Sequence, residues 1–343
     1  MSQFTHLTPL LRLCLFIILV PISFSCSGDN DLPPPVSDPL LMDKETKLLE
    51  LATSYSTAGS SAKNICIITE DAANRTVTEW FSLSDKNFRR HHYDNDGNLV
   101  KIVISFSDGT SRSLDSVIIK RPAAGQFEIW KNDKILLQKA NRSVSPDGGE
   151  KILVESTDNS AVFLTLTFNR DALLVSQREQ LMSLGLDGHN IAYTYDASHK
   201  LTGMSDTVHS LVAGNRLVHH YNVSTDNASN SYLIYVLEKL VGRDMRWRLY
   251  YADQSPGYFT PSVLSIPERF EQTLMLAKGS VTKLKLQHFT AQPDGSFVES
   301  PVNGENALLY NWQYDDRGRA INCKTANTNS ADYRGELQIK YFD

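Results

Sequence analysis

The chain has 343 residues, of which 41% are hydrophobic and 21% are charged, the composition of an ordinary globular protein. Its formal net charge at pH 7 is −5, and removal of residues 1–25, which include one arginine, leaves −6 (−5 minus 1). This balance argues against a nucleic-acid-binding protein, because such proteins carry strongly basic surfaces.

An N-terminal targeting segment is predicted over residues 1–25. Its apolar run is shorter than the roughly 18 to 20 residues that a membrane-spanning helix needs. The sequence Ser23-Phe24-Ser25-Cys26 follows it and resembles the processing site of bacterial lipoproteins, in which a lipidated cysteine begins the mature chain. Ordinary secretory cleavage, which would leave Cys26 unmodified, stays open as an alternative.

The segment 26–41 is acidic and rich in proline, which predicts a stiff, extended tether. Acidic residues directly after the cysteine resemble the surface-export signal of Bacteroides-type surface lipoproteins. That resemblance implies a protein that is lipid-anchored in the bacterial outer membrane and exposed at the cell surface. Several acyl chains, at about 0.8 kcal/mol per buried methylene, would hold the protein there.

The remaining residues, 42–343, are predicted to form a single large domain. A short N-terminal helix is predicted at 42–57, where Leu48, Leu49 and Leu51 have helical spacing. From residue 64 onward, apolar and polar residues alternate between Asp-Gly and Asn turn signals, a pattern typical of hairpins.

Most later segments of the domain are predicted to be strands, among them 232–240 and 246–251. A second short helix is predicted at 176–186. Nothing in the pattern alternates strand with helix as a parallel sheet would require. The predicted fold class is therefore all-β, a long twisted or curled antiparallel meander built from hairpins.

A frame of an aromatic residue, Tyr-Asp and a later Gly or His occurs three times in the domain. Asp can hydrogen-bond the backbone two residues on, and Gly supplies the positive φ that such a turn needs. The turn residues are Tyr93, Asp94, Gly97, Tyr195, Asp196, Tyr314, Asp315 and Gly318. They resemble the Tyr-Asp (YD) repeats of Rhs and teneurin-like proteins, and the resemblance implies structural turns between antiparallel strands, with no catalytic residue.

Two cysteines, Cys66 and Cys323, remain besides the leader and the anchor candidate. In an oxidising compartment they could form a disulfide that ties the first strands to the last. The alternative is two buried thiols, and a single pair offers no pattern that decides between them.

Metal and cofactor sites are not predicted. Asp94, Asp96 and Asn98 alternate like the oxygens of a calcium loop, but Ser105 stands where a bidentate Glu would be needed. The adjacent histidines of the pairs 91–92 and 219–220 point to opposite faces of a strand, so neither pair can share an ion. One histidine from each pair could still meet another across strands.

One candidate ligand face lies in the predicted strand at 246–251. Alternation would place Arg246, Arg248 and Tyr250 on one side, where they could stack on a sugar or bind an anionic glycan. The alternative is that the intervening aromatic residues belong to the core and the arginines are merely solvated.

No catalytic motif is present, so the sequence favours a non-enzymatic surface lipoprotein. We expect it to act as a binding or scaffold module for a glycan or for a partner outer-membrane protein, without nucleic acid. A glycan-processing hydrolase with paired carboxylates in a groove of the sheet is an alternative, and a purely structural envelope protein is another.

Overall fold

The structure, a computed structural model, describes residues 45–57, 60–81, 87–107, 111–157, 162–181, 186–209, 216–226, 231–250, 279–292, 294, 296–299, 307–328 and 330–342. These residues all belong to one compact unit, Asp38–Asp343. They form strands, one α-helix, α1 (Ser231–Val241), and one 3-10 helix (Arg243–Tyr250).

The strands follow one another along the sheet in chain order. They are β1 (Thr46–Thr57), β2 (Ser60–Asp71), β3 (Thr76–Phe81), β4 (Phe88–Tyr93), β5 (Leu99–Ser107), β6 (Arg112–Lys120), β7 (Gln126–Lys131), β8 (Ile135–Val144), β9 (Glu150–Ser156), β10 (Val162–Phe168), β11 (Leu174–Leu181), β12 (Leu186–Tyr195), β13 (Leu201–His209), β14 (Arg216–Thr225), β15 (Val281–Ala291), β16 (Phe297–Glu299), β17 (Ala307–Tyr314), β18 (Ala320–Asn327) and β19 (Ser330–Tyr341).

The sheet closes on itself. Neighbouring strands pair antiparallel, and β1 pairs with β2 on one edge and with β19 on the other. Short β16 pairs with the end of β15, while β17 pairs with the beginning of β15. Eighteen strands (19 minus β16) therefore form a closed ring. The strand order of an all-β antiparallel meander is confirmed, but the sheet is a closed ring rather than the twisted or curled meander that was predicted. Closure pairs the two edges that such a meander would leave unpaired.

Alternate residues of each strand face the inside of the ring, as the period of two requires. Ile102, Ile152, Ile191 and Ile339, from strands around the whole ring, belong to one buried cluster together with Leu240 of α1. A single cluster that joins strands all round a closed ring lies inside it, so the apolar face is the inner face.

The α-helix and the 3-10 helix together, residues 231–250, pack against the inner face, and we call them the plug. Gly242 between them has φ +76°, and an added Cβ there would lie 2.7 Å from the backbone nitrogen of Leu99. The plug is also fixed by charge: Arg121 binds Asp244 with nitrogen–oxygen distances of 2.6 and 3.0 Å. Lys239 Nζ lies 2.5 Å from Glu70 Oε2.

Several local predictions are wrong. Of the N-terminal helix expected at 42–57, the described residues 46–57 form β1, because pairing with both β2 and β19 outweighs the helical spacing of its leucines. Of the helix expected at 176–186, residues 176–181 lie in β11 and residue 186 begins β12, while the residues between them lie outside the described part. The expected strands at 232–240 and 246–251 are the two helices of the plug, as far as the structure describes them.

A small second cluster lies on the outer face of β2–β4. Trp80 packs there with Ile67 and Phe88, and its Nε1 donates to Thr69 Oγ1 at 2.8 Å. Arg90 binds Glu45 at 3.0 Å beside this cluster.

Within the described part of the chain, no helix is long and apolar enough to cross a bilayer.

Candidate functional site

Four turns at one end of the ring share the same hydrogen bonds. In each, the first residue is Asp94, Asn169, Asp196 or Asp315, and its side-chain oxygen accepts from the backbone N–H groups two and four residues on. These eight distances lie between 2.8 and 3.0 Å. The carboxylates are thus occupied by the backbone, so they act here as turn residues rather than as ligands for an ion.

The tyrosine that precedes each Asp turn points inward and donates its hydroxyl hydrogen. Tyr195 donates to the carbonyl of Leu174 at 2.7 Å, and Tyr93 donates to the carbonyl of Lys239 in the plug. Tyr314 donates to Asp226 Oδ2 at 2.7 Å, and burial together with this carboxylate raises the pKa of Tyr314 to about 12. These tyrosines connect the turns to neighbouring hairpins and to the plug.

A buried histidine–glutamate pair lies on the inner wall of β3 and β4. His91 Nε2 lies 3.0 Å from Glu79 Oε2, and the two side chains are 3% and 0% exposed. His91 Nδ1 is buried and has no hydrogen-bond partner among the described residues. Burial and the nearby Glu79 carboxylate raise the pKa of Tyr93 well above its ordinary value. Because solvent does not reach this group, we assign it a structural role.

A second polar group, more exposed to solvent than the His91–Glu79 pair, lies on the inner wall from β11 to β15. We call it the histidine row. Asp206, His219 and His288 are direct cross-strand partners on β13, β14 and β15. The imidazole rings of His219 and His288 meet edge to face, with centroids 4.7 Å apart. His189 on β12 places Nδ1 3.0 and 3.2 Å from the two carboxylate oxygens of Asp206.

Further polar and aromatic side chains extend the histidine row along the wall. Glu179 of β11 is the cross-strand partner of His189, and Tyr221 stacks on His219 with centroids 6.5 Å apart. Gln177 is buried beside them and accepts a long hydrogen bond, 3.5 Å, from Tyr193. Acids, an amide, imidazoles and tyrosines therefore share one strip of the inner wall.

Solvent reaches part of the histidine row. The side chain of His189 is 33% exposed and that of Asp206 is 10% exposed, while His219 and His288 are half-buried. Desolvation lowers the pKa of both half-buried histidines, and the neighbouring His288 lowers that of His219 further, against the opposing pull of Asp206. The lowered pKa values favour the neutral form of both imidazoles at pH 7, in which each can donate one hydrogen bond and accept another.

The row was not predicted as a site, although His219 was considered for a metal. Its members stand between 177 and 288 in the sequence and meet only through the pairing of five strands. The sequence feature that could have located the row is a histidine or an acid at an inward position of an alternating strand. In the described part of the chain, no three potential metal ligands come close enough to hold an ion.

The candidate ligand face at 246–251 does not exist as a strand. Arg246 is exposed and lies 2.8 Å from Glu238, whereas Arg248 is only 2% exposed, inside the core. A 3-10 helix turns these alternate residues to different sides, so they share no exposed face. Tyr250 ends this helix, and its side chain lies outside the described part.

The two cysteines are buried thiols rather than halves of a disulfide. Cys66 lies on β2 and Cys323 on β18, with β1 and β19 between them in the ring. Three strand spacings of about 4.8 Å exceed the Cα separation of roughly 7 Å that a disulfide tolerates. Cys26, the predicted lipidation site, and the tether lie outside the described residues.

No protein-family model matches the chain, and no curated protein matches it either. Among solved structures, it is similar to a porin-like protein from Bacteroides uniformis at 13% identity and a TM-score of 0.43, covering 87% of this chain and 99% of that one. A porin-like protein from Bacteroides vulgatus matches at 7% identity and a TM-score of 0.29, covering 85% of this chain and 97% of that one. The structure of TcdB2-TccC3-Cdc42 matches at 7% identity and a TM-score of 0.20, covering 83% of this chain and 18% of that one.

Proposed function

We propose that the chain is a non-enzymatic, lipid-anchored envelope protein whose closed sheet stands in water beside the bacterial outer membrane. In this role the domain is a binding or scaffold module held at the membrane through Cys26. The observation that carries the proposal is the outer wall, which bears exposed Lys and Arg side chains on strands around the ring, while the main buried apolar cluster lies inside it.

The outer wall carries exposed charged side chains on strands around the ring. The exposed basic side chains on the outer wall include Lys101, Lys120, Lys139, Lys151, Arg178, Lys285, Lys324 and Lys340. A sheet embedded in a bilayer presents an outward apolar band about 25 Å tall, and each Lys or Arg at its middle costs about 2 to 4 kcal/mol. The described outer wall therefore favours water over lipid as its surroundings.

The interior supports binding over passage. Buried apolar residues from strands all round the ring form one cluster with the plug, whereas a conducting sheet has a polar, water-filled lumen. A module of this kind interacts through its outer wall, through its ends or through the accessible part of its inner wall.

Replacement of the predicted anchor tests this proposal in cells that make the full chain. We expect the wild-type protein to remain with membranes after alkaline carbonate extraction and the Cys26→Ala protein to be released. Cys14→Ala, a change within the predicted leader, is the matched control and stays with the membranes. Retention of Cys26→Ala in the carbonate-resistant fraction would instead place the sheet within the bilayer.

A further inference from the structure

The outer wall of β2–β4 carries a group of side chains that solvent does not reach, and we call it the outer patch. Its members are cross-strand neighbours on this face and are all buried: Ile67, Thr69, Thr78, Trp80 and Phe88. Side chains on one face of a sheet stand out from it and cover each other's flanks but not their ends. Because Trp80 is only 1% exposed, a layer of chain lies above the patch.

One part of that layer is Glu45, the residue that precedes β1. Thr69 Oγ1 donates to Glu45 Oε2, Thr78 Oγ1 donates to Oε1 at 3.4 Å, and Arg90 Nη2 donates to the same Oε1 at 3.0 Å. The side chain of Glu45 is 5% exposed. A carboxylate on the outer side of a wall keeps its water unless more chain lies over it, because burial of a charge is costly.

Arg90 is a second part of the layer. Its guanidinium lies 5.8 Å from the ring centroid of Trp80 and 5.3 Å from that of Phe88. One planar guanidinium covers only part of two aromatic rings. The remaining cover calls for apolar side chains, which bury aromatic surface without leaving a polar group unpaired.

The chain enters the described part of the protein at this patch. The compact unit that contains the ring begins at Asp38, and residues 38–44 lead directly to Glu45. Three of them, Leu40, Leu41 and Met42, are large and apolar. At up to about 3.6 Å per residue, Met42 can reach about 11 Å from Glu45 and Leu40 about 18 Å. The patch spans two strand spacings, about 10 Å, so all three side chains are within reach of its aromatic rings.

We propose that residues 38–44 dock on the outer patch, with Leu40, Leu41 and Met42 over Trp80 and Phe88. This segment is then part of the domain, and the free tether ends at residue 37. An anchor at the N-terminus would therefore be joined to the ring at β2–β4 and would hold this side of the ring toward the membrane. The docking itself does not require lipidation.

Photochemical cross-linking in cells that make the full chain identifies what lies on the patch. Leu41 is replaced by the photoreactive amino acid benzoylphenylalanine, the cells are irradiated, and the adduct is mapped by mass spectrometry. We expect an adduct within one chain, to β2, β3 or β4. The same replacement at Val36, in the free tether, is the matched control and should give no preferred adduct on the ring. An adduct of the Leu41 replacement with another strand, a second copy or another protein would overturn the docking, as would the absence of any adduct with the ring.

Oxidation of tryptophans by hydroxyl radicals gives a second readout on the purified protein. In the wild type we expect Trp80 to react more slowly than the half-buried Trp130. In a triple serine variant, Trp80 should react as fast as Trp130, while the buried Trp247 of the plug stays protected and shows that the ring is folded. The variant carries Leu40→Ser, Leu41→Ser and Met42→Ser.

The control for the triple serine variant is Val36→Ser, which should leave Trp80 protected. If both Trp80 and Trp247 stay protected in the triple serine variant, the side chains of Glu45 and Arg90 suffice as cover and the docking is wrong. If both tryptophans react, the variant is unfolded and the cross-link decides. Neither readout depends on release of Cys26→Ala from membranes, so the docking and the envelope role fail separately.

Discussion

The fourth residue of each Asp or Asn turn adopts a positive φ whatever its side chain. The angles are 81° at Gly97, 58° at Ala172, 65° at His199 and 73° at Gly318. Because the backbone hydrogen bonds of the four turns are the same, the turn imposes this conformation. A residue with a Cβ is strained there, which lowers the stability of the fold. The cost is about 1 kcal/mol for a single residue.

Two substitutions that should change the free energy of unfolding in opposite directions test this origin of the strain. His199→Gly relieves the left-handed strain and should stabilise the fold by about 1 kcal/mol, and Gly318→Ala should destabilise it by a similar amount. No atom lies within 4 Å of the position that a Cβ at Gly318 would take, so only backbone strain is involved. Denaturant unfolding gives both values, and two changes of the same sign would contradict this origin.

At the scale of elements, the plug depends on one close approach between its two helices and β5. Gly242 combines a positive φ with a Cβ position 2.7 Å from Leu99 N. Side-chain contacts secure the rest of the plug, including the bidentate pair of Arg121 and Asp244. The plug should therefore detach when the approach at Gly242 is blocked.

Gly242→Ala is expected to release the plug without opening the ring. Backbone amides of α1 should lose protection from hydrogen exchange while those of β9 and β10 keep theirs. Gly318→Ala is the matched control, since it introduces the same positive-φ strain without a neighbouring atom. Unchanged protection of α1 in Gly242→Ala would show that this contact does not hold the plug.

The pairing of β14 with β15 carries a pH dependence. The folded pKa values of His219 and His288 lie below that of an unfolded histidine, about 6.5, so the unfolded chain binds more protons in that range. The stability they contribute is complete above about pH 6.5 and is lost as the pH falls through the folded pKa values.

Histidine replacement measures that dependence. The free energy of unfolding should decrease between pH 7.5 and pH 5, and His219→Gln should decrease it less steeply. Some slope should persist, because burial also lowers the pKa of His92. His220→Gln, at the exposed next position of the same strand, is the control, and an equal effect of both variants would rule out the contact with His288 as the cause.

The elements differ in how far the sequence predicts them. Hairpins can be predicted from short stretches of sequence, because an Asp turn and an alternating strand involve only residues that are close in the sequence. The plug cannot be predicted in this way, because an apolar run such as 232–240 suits a buried strand as well as a buried helix. Local patterns do not predict the histidine row, because His189 and His288 are brought onto one wall only by the pairing of the intervening strands.

At the scale of the whole molecule, the closure of the sheet into a ring is the property that cannot be predicted from the sequence pattern. The bonds between β1 and β19 join residues such as Leu51 and Ile339, which no local pattern connects. Once the ring is closed, the main apolar cluster lies inside it and the exposed Lys and Arg side chains lie on the outer wall. The proposed place beside the membrane depends on that arrangement.

Single cysteines on the outer wall, labelled in intact membranes, test this arrangement most directly. Lys101→Cys, Lys151→Cys, Lys285→Cys and Lys324→Cys place thiols on four separate strands, and Ile152→Cys places one inside. With a membrane-impermeant maleimide applied to disrupted membranes, so that both surfaces are reached, we expect all four outer thiols to react and the inner one to be protected. Protection of the outer thiols, with reaction only after detergent is added, would contradict a ring that stands in water.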